Sequence, residues 1–396
     1  MQQENFYMEN NYKMVAKTLF GFEPVLAKEL KDLGAIDVKE GVRNVSFYGD
    51  KGFMYKANLG LRTAIKILKP IKTFKILNED DLYKKIYAMD WPEYLDNKGS
   101  LAIDATVHSS RFTHSKFMAL KTKDAIVDLF RNTTGFRPSV DLDFPDLRIN
   151  VHIEDTTCTI SLDSSGQSLH KRGYKSATNI APINEVLAAG MLLMSGWDGL
   201  SDFMDPMCGS GTILIEAAMI ACNIPPNLNK KEFGFEKWKD WDVDLFEKIE
   251  ASLLSRIRGF EHKIIGFDKA PSAVHKALDN IENANLTEFI SVEQQDFFQT
   301  EKNTEGHLHM VFNPPYGERL ELLNLEEFYK DIGNTLKQNY PGTQAWFIVS
   351  NMDAIKSVGL RPSRKIKMFN GKLESRFLKY EIYEGTKKVH KMKADN

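Results

Sequence analysis

"DFMDPMCGSGTILIEAAMIA", Asp202–Ala221, decides how the second half of the chain folds. Its apolar start closes on Asp205, Gly209 and Gly211 bracket Ser210, and Thr212 leads into an alanine-rich helical pattern. A strand, a tight turn and a helix in that order open a parallel sheet with crossover helices. Glycines in the turn let a ligand approach the backbone, and the helix start offers free N–H groups to a carboxylate. A phosphate loop would need a lysine after the last glycine, and Thr212 and Ile213 supply none. A dinucleotide fingerprint would need a third glycine where Leu214 stands. A purely structural turn stays open at this point.

Outward from that stretch the alternation continues. "NEVLAAGMLLMSGW" and "PSAVHKALDNIENAN" read as helices, and "KIIGFD", "ISVEQQD" and "HMVFNPP" as strands. The pattern predicts an α/β domain, a Rossmann-like, doubly wound and mostly parallel sheet. Such sheets bind ligands beyond the carboxyl ends of their strands. Asp268 ends the second strand, where a carboxylate can accept both hydroxyls of a ribose; a solvated acid or a helix cap are its rival readings. The third strand ends in "QQDFF", with Asp296 placed to accept from an adenine amine and Phe297 to pack on the ring. A plain turn competes there.

The fourth strand runs into "VFNPPYGERL", Val311–Leu320. Two prolines remove two backbone donors and fix two φ angles. An exocyclic amine is a poor nucleophile because its lone pair is delocalised into the π system. To attack a methyl group, its hydrogens need acceptors that orient the nitrogen. The Asn313 side-chain oxygen and the Pro314 carbonyl supply them, Pro315 adds no competing N–H, and Tyr316 offers a flat face for a base. Asn313 is neutral, so its role is positioning and electrostatics, not general-base catalysis.

Residues 14–50 read as strand, helix, strand. The block 53–165 reads as a helix near "GFMYKANLGLRTAIKIL", a strand at "SLAIDATVHS", a long helix and two strands. "GQSLHKRGYKSATNIAP" is a turn-rich linker, and an amphipathic insertion spans about 223–262. Residues 51–150 carry 17 Lys and Arg against 12 Asp and Glu. Within this block Arg62, Lys66, Lys69, Lys72 and Lys75 cluster, as do Arg111, Lys116, Lys121 and Lys123. These are candidate phosphate contacts, with a solvated charged face as the alternative.

The chain has 396 residues, enough for two or three domains, and a formal charge of −2, so nucleic-acid binding must be local. No apolar run approaches the ~20 residues of a membrane span, and the polar start is unlike a signal peptide. Three cysteines at unrelated spacings give no disulfide framework and no metal site, and a cytoplasmic setting is expected.

"DPMCGSGTILIEAAM" with "NPPYGERL" resembles the class I S-adenosylmethionine-dependent methyltransferases, in the branch of THUMP-domain RNA guanine-N2 methyltransferases that act on 23S ribosomal RNA. "FEPVLAKELKDLGA", "KTKDAIVDLF", "PDLRINVHI", "SLDSSGQSLHKRGY", "APINEVLAA" and "FNGKLESRFLKY" extend the likeness over nearly the whole chain. The resemblance implies a ferredoxin-like segment at 1–52, a THUMP RNA-binding domain at 53–165 and the methyltransferase domain at 166–396. It implies that Asp205, Pro206, Cys208, Gly209, Ser210, Gly211 and Thr212 cradle the methionyl part of S-adenosyl-L-methionine. Asp268 would hold the ribose, Asp296 and Phe297 would flank the adenine, and Asn313–Tyr316 would surround the target guanine, with Asn313 also touching the cofactor. Pro182 and Glu185 belong to the stretch packing over the cofactor. Bifunctional members carry a second methyltransferase domain that this sequence lacks, so the amino-methylating activity alone is implied. The expected partner is 23S ribosomal RNA, free or in a precursor particle. Rival acceptors are a transfer-RNA guanine, an adenine N6 or a glutamine amide, the last having no use for an RNA-docking front. A non-catalytic ribosome-assembly factor would carry a broken cofactor loop, and this loop is complete.

Overall fold

The computed structural model describes residues 10–175, 182–315 and 322–383. They form two compact units. One takes the residues up to Thr18, Leu26–Leu169 and Lys230–Ser252; the other takes Leu19–Val25, His170–Asn229 and the chain from Leu253 onward. Among the described residues no helix is long and apolar enough to cross a membrane.

The first unit holds β1 (Tyr12–Lys17), α1 (Glu23–Leu33), β2 (Ile36–Glu40), β3 (Asn44–Gly49), α2 (Lys51–Gly60), β4 (Lys66–Lys75), α3 (Glu79–Tyr87), β5 (Ser100–His108), α4 (Ser115–Thr134), β6 (Ser139–Val140), β7 (Leu147–Glu154) and β8 (Thr157–Asp163). Eight strands make one sheet in the order β2-β3-β1-β4-β8-β7-β5-β6. The stretch expected as one helix over Gly52–Leu68 divides. The Asp50 side chain caps α2 by accepting from the Phe53 N–H at 2.7 Å, and the helix ends at Gly60, where Leu61 turns extended. β4 then pairs β1 through Val15–Leu68 and β8 through Leu68–Asp163 to Lys75–Thr157. Pro70, which has no N–H for the ladder, sits where the β4–β8 register slips. One strand thus joins segments that the sequence reading kept apart.

Residues 230–252 of the insertion pack with this unit. Their aromatic side chains gather on Tyr55, with ring centres of Phe235, Trp241 and Phe246 at 4.6, 5.2 and 5.9 Å. Such clusters add about 0.5–1.5 kcal/mol per pair beyond area burial.

The second unit holds α5 (Glu185–Ser195), β9 (Asp202–Asp205), α6 (Thr212–Ala221), β10 (Ile264–Asp268), α7 (Pro271–Asn283), β11 (Ile290–Gln294), β12 (Leu308–Phe312), α8 (Leu322–Asn339), β13 (Thr343–Val349), β14 (Arg364–Asn370) and β15 (Leu373–Ile382). The sheet order is β11-β10-β9-β12-β13-β15-β14. The first five strands of that list run parallel, β15 antiparallel to both its neighbours. All of β12 and every residue of α6 are buried, which explains their continuous apolar runs. The core between β12, β13, β15 and α8 is aromatic: Phe312, Phe347, Tyr329, Tyr340 and Tyr380.

Candidate active site

The order of strands fixes where a ligand can enter. From β9 the chain moves to β10 and β11 on one side; β12 then returns beside β9, Met310 opposite Met204, and β13 follows on the other side. Crevices in open α/β sheets form at this reversal. Here a cavity of about 440 Å³ opens, within the usual range for small-ligand sites. Asp205, Pro206, Cys208, Gly209, Ser210 and Thr212 line it from the first strand end, Asp268 from the second, Asp296 and Phe297 from the third, Asn313, Pro314 and Pro315 from the fourth. Tyr316 lies outside the described residues.

The loop after β9 is held by its neighbours. Asp268 accepts from the Gly209 N–H through one oxygen and from the Ala270 N–H through the other, both at 2.9 Å. Each carboxylate oxygen keeps a further lone pair for a ligand hydroxyl. The Asn280 side chain donates to the Ser210 carbonyl at 2.9 Å. Gly211 departs from the expectation: it is absent from the cavity wall. It caps α6 at φ 78°, and a Cβ there would stand 3.2 Å from that of Ala277 on α7. Its smallness serves the turn and the helix packing.

Asp205 is 1% exposed and accepts from the Met207 N–H at 3.1 Å. Burial pushes its carboxyl well above the usual range, and the Asp268 charge adds to that. A buried acid of this kind favours a cationic partner. Burial likewise raises the Cys208 thiol well up, which removes it as a nucleophile.

Among the described residues the buried Asn313 side-chain oxygen has no hydrogen-bond partner, and the hydroxyl of Thr212, another residue lining the cavity, has none either. An unsatisfied buried acceptor costs about 1–3 kcal/mol, so such an atom calls for a donor from a ligand. The neighbouring prolines offer no N–H to fill the role.

Phe297 touches the cavity, but its ring is 2% exposed and packs 5.5 Å from Tyr340 and 6.0 Å from Phe312. It supports the wall more than it forms it. Half-buried Phe298, 5.5 Å from Phe328 on α8, reaches the cavity with Phe328. Sequence reasoning passed over both; the doublet Phe297–Phe298 was the available signal. It also missed how Pro182 and Ile183 are seated on the cavity. Lys175 donates to the Ile183 carbonyl at 2.9 Å and pairs with Glu185 at 3.1 Å. Just before it, Arg172 is buried against Glu216 of α6 at 3.3 Å and donates to Asn227 at 3.0 Å.

In the first unit the two basic clusters fare differently. Arg62 is 9% exposed in the loop before β4, where Glu29 accepts from the N–H groups of Arg62 and Thr63 and from the Thr63 hydroxyl. Lys66 pairs with Asp163 at 2.7 Å and Asp104 at 3.1 Å. Lys69 lies half-buried with its ammonium 4.5 Å from the Tyr12 ring centre and 5.8 Å from that of Trp238. These three are engaged internally, while Lys72 and Lys75 of the same cluster stay exposed. Arg111 and Lys116 are exposed; Lys121 and Lys123 pair at the surface with Asp80 and Asp124.

A seven-stranded sheet of this order, with a cavity at its reversal point and an Asn-Pro-Pro corner, is that of a class I methyltransferase. Residues 172–379 match the family described as RMKL-like, methyltransferase domain, and the chain belongs to it. Residues 77–163 match the THUMP domain and 13–68 the RlmL ferredoxin-like domain. A protein of Synechocystis sp., provisionally named an RNA methyltransferase, is 39% identical over 92% of this chain and 95% of its own length. The ribosomal RNA large subunit methyltransferase K/L of Syntrophotalea carbinolica is 37% identical over 95% of this chain and 54% of its own. The chain thus spans about half the length of that relative. The crystal structure of SMU.472, provisionally a methyltransferase and complexed with SAH, superimposes with a TM-score of 0.85 at 28% identity, covering 96% of this chain and all of that one.

Proposed function

We propose that this protein methylates the exocyclic N2 amine of a guanine in 23S ribosomal RNA, with S-adenosyl-L-methionine as donor. The residues present fit that donor. The Asp268 carboxylate suits a ribose diol, half-buried Asp296 with Phe298 suits an adenine, and buried Asp205 with the loop 206–210 suits a cationic methionyl group. SMU.472, similar over its whole length, carries SAH. Bound in this cavity, the donor supplies an electrophilic methyl carbon.

The chain's own residues do the rest by position. Asn313 accepts one amine hydrogen through its unpartnered side-chain oxygen, and the Pro314 carbonyl accepts the second. Held between two acceptors, the nitrogen keeps one fixed orientation toward the cavity, and the developing positive charge on it is favoured. Among the described residues the corner carries no base, and the proton lost afterwards leaves to water. An RNA substrate is supported by the THUMP match and by the names of the K/L relatives, and a cytoplasmic setting would go with it. Base access requires flipping the nucleotide out of its stack.

The observation that carries this reading is the buried Asn313 side-chain oxygen, without a partner among the described residues, on a proline corner that lines the same cavity as Asp268. It is tested by incubating the protein with labelled donor and, in parallel, unmodified 23S RNA or transfer-RNA transcript, then separating the nucleosides by mass spectrometry. Label in N2-methylguanosine is expected. Label in N6-methyladenosine, in transfer RNA alone, or none at all would overturn it.

A further inference from the structure

The whole chain is nearly neutral, yet residues 356–379 hold eight lysines and arginines against one acid, Glu374. They fall on and around the antiparallel hairpin β14–β15 that ends the second sheet. Opposed residues of such a pair share a face. The register puts Lys367 opposite Arg376, Phe369 opposite Glu374 and Lys365 opposite Leu378, all on one face. Lys367 lies 2.8 Å from one oxygen of Glu374 and 5.6 Å from the centre of the Phe369 ring; Arg376 lies 3.0 Å from the other oxygen. Phe369 meets Phe20 edge to face at 5.5 Å, and Phe20 is 39% exposed. Arg361, Arg364, Lys365 and Lys372 are exposed, with no acid in ion-pair reach among the described residues.

The fold gives this patch a use. Phe312 of β12 pairs with Phe347 of β13, and Val349 of β13 with Arg376 of β15. Arg376 and Lys367 therefore stand at the same carboxyl edge as Asn313, two and three strands along. At about 4.8 Å per strand that is roughly 10 and 15 Å, a few nucleotides away.

We infer that the β14–β15 hairpin, with Phe20 and Phe369, binds the phosphates and an unstacked base of the RNA strand beside the target nucleotide. This rests on the RNA reading of the site and adds a contact surface on the catalytic unit itself. Cations interleaved with accessible aromatic rings are what single-stranded nucleic acid selects, through backbone charge and ring stacking. An acidic protein would use the cations and ignore the rings. Glu374 is a built-in competitor: exposed ion pairs are weak, so an RNA phosphate can take its place between Lys367 and Arg376.

The test uses the full chain and unmodified 23S RNA transcript in a salt titration. Each single-strand phosphate contact contributes about 0.7 to the slope of log affinity against log salt. The variant Lys365→Ala/Lys367→Ala/Lys372→Ala/Arg376→Ala is expected to lose about 2–3 from that slope and at least ~10-fold in affinity at physiological salt. Glu374→Gln should do the opposite, binding several-fold tighter, a gain that misfolding cannot imitate. Phe20→Ala should weaken binding and leave the slope unchanged. A fourfold variant matching wild type in slope and affinity would overturn the inference. So would an equal loss on poly-glutamate, which would assign the patch to an acidic partner. If wild type itself binds no RNA, the proposed function fails first, and that outcome is distinguishable from these two.

Discussion

The carboxyl edge of the second sheet and the start of β4 in the first unit both carried residues that looked like ligand contacts. They ended differently. At the sheet edge Asp205, Asp268, Asp296 and Asn313 converge on one cavity. Around β4, Arg62, Lys66 and Lys69 turn inward, to the neighbourhood of Glu29, to Asp163 and to an aromatic pair. Backbone topology explains the difference. A residue ending a parallel strand is delivered to the ligand side by the chain path itself. A lysine on a strand has a long stem that can cover apolar surface or find a buried acid, and its neighbours in sequence do not reveal which.

The most severe way to break that contrast is Asn313→Ala. Removing one preorganised acceptor is expected to lower turnover by about 10²–10³-fold, with donor affinity unchanged in calorimetry. An equal loss of donor affinity would move Asn313 from the amine to the donor. Next comes Asp268→Ala, which removes a charged acceptor from the cavity and unties Gly209 and Ala270. Donor binding should weaken by one to a few charge-assisted hydrogen bonds, about 1.5–3 kcal/mol each; an unaltered dissociation constant would count against the ribose role.

The contrast sharpens if the two basic clusters are separated by experiment. Arg62→Ala keeps the backbone bond to Glu29 but removes the buried charge beside that carboxylate. Leaving the carboxylate unpaired should cost about 1–3 kcal/mol of stability, a drop of several degrees in melting temperature, and leave the salt slope of RNA binding alone. Exposed Lys116→Ala should leave melting unchanged and take just under one unit from that slope. A smaller effect concerns pH. Burial keeps Asp205 protonated in the folded protein at pH values where the unfolded chain has already ionised. The folded state then binds more protons, so this group's contribution to stability falls as pH rises above the ordinary carboxylate range. A cationic donor favours the ionised form. Its binding should therefore release a proton and tighten as pH rises through that window. Calorimetry in two buffers of different ionisation heat checks this, and Asp205→Asn should abolish the proton release.

Much of the methyltransferase half was legible because strand ends, a glycine turn and an Asn-Pro-Pro corner are local features with one geometry each. Gly211 reads in the sequence like its neighbours in the turn, and the packing role it carries against Ala277 shows only in the structure. Phe328 could not be found, since on an amphipathic helix an aromatic reads as core. The tie from Lys175 to Ile183 and Glu185, and the gathering of residues 230–252 around Tyr55, depend on tertiary contacts without a local pattern. β4 was lost to the helix before it because "KILKP" follows an apolar run without punctuation other than Gly60.

The most direct test is a crystal structure of the protein with SAH and a short guanine-containing RNA. A purine amine about 3 Å from both the Asn313 side-chain oxygen and the Pro314 carbonyl, pointing at the sulfur, is the predicted result. An amine directed elsewhere, with the Asn313 side chain bonded only to the cofactor product, would contradict the account.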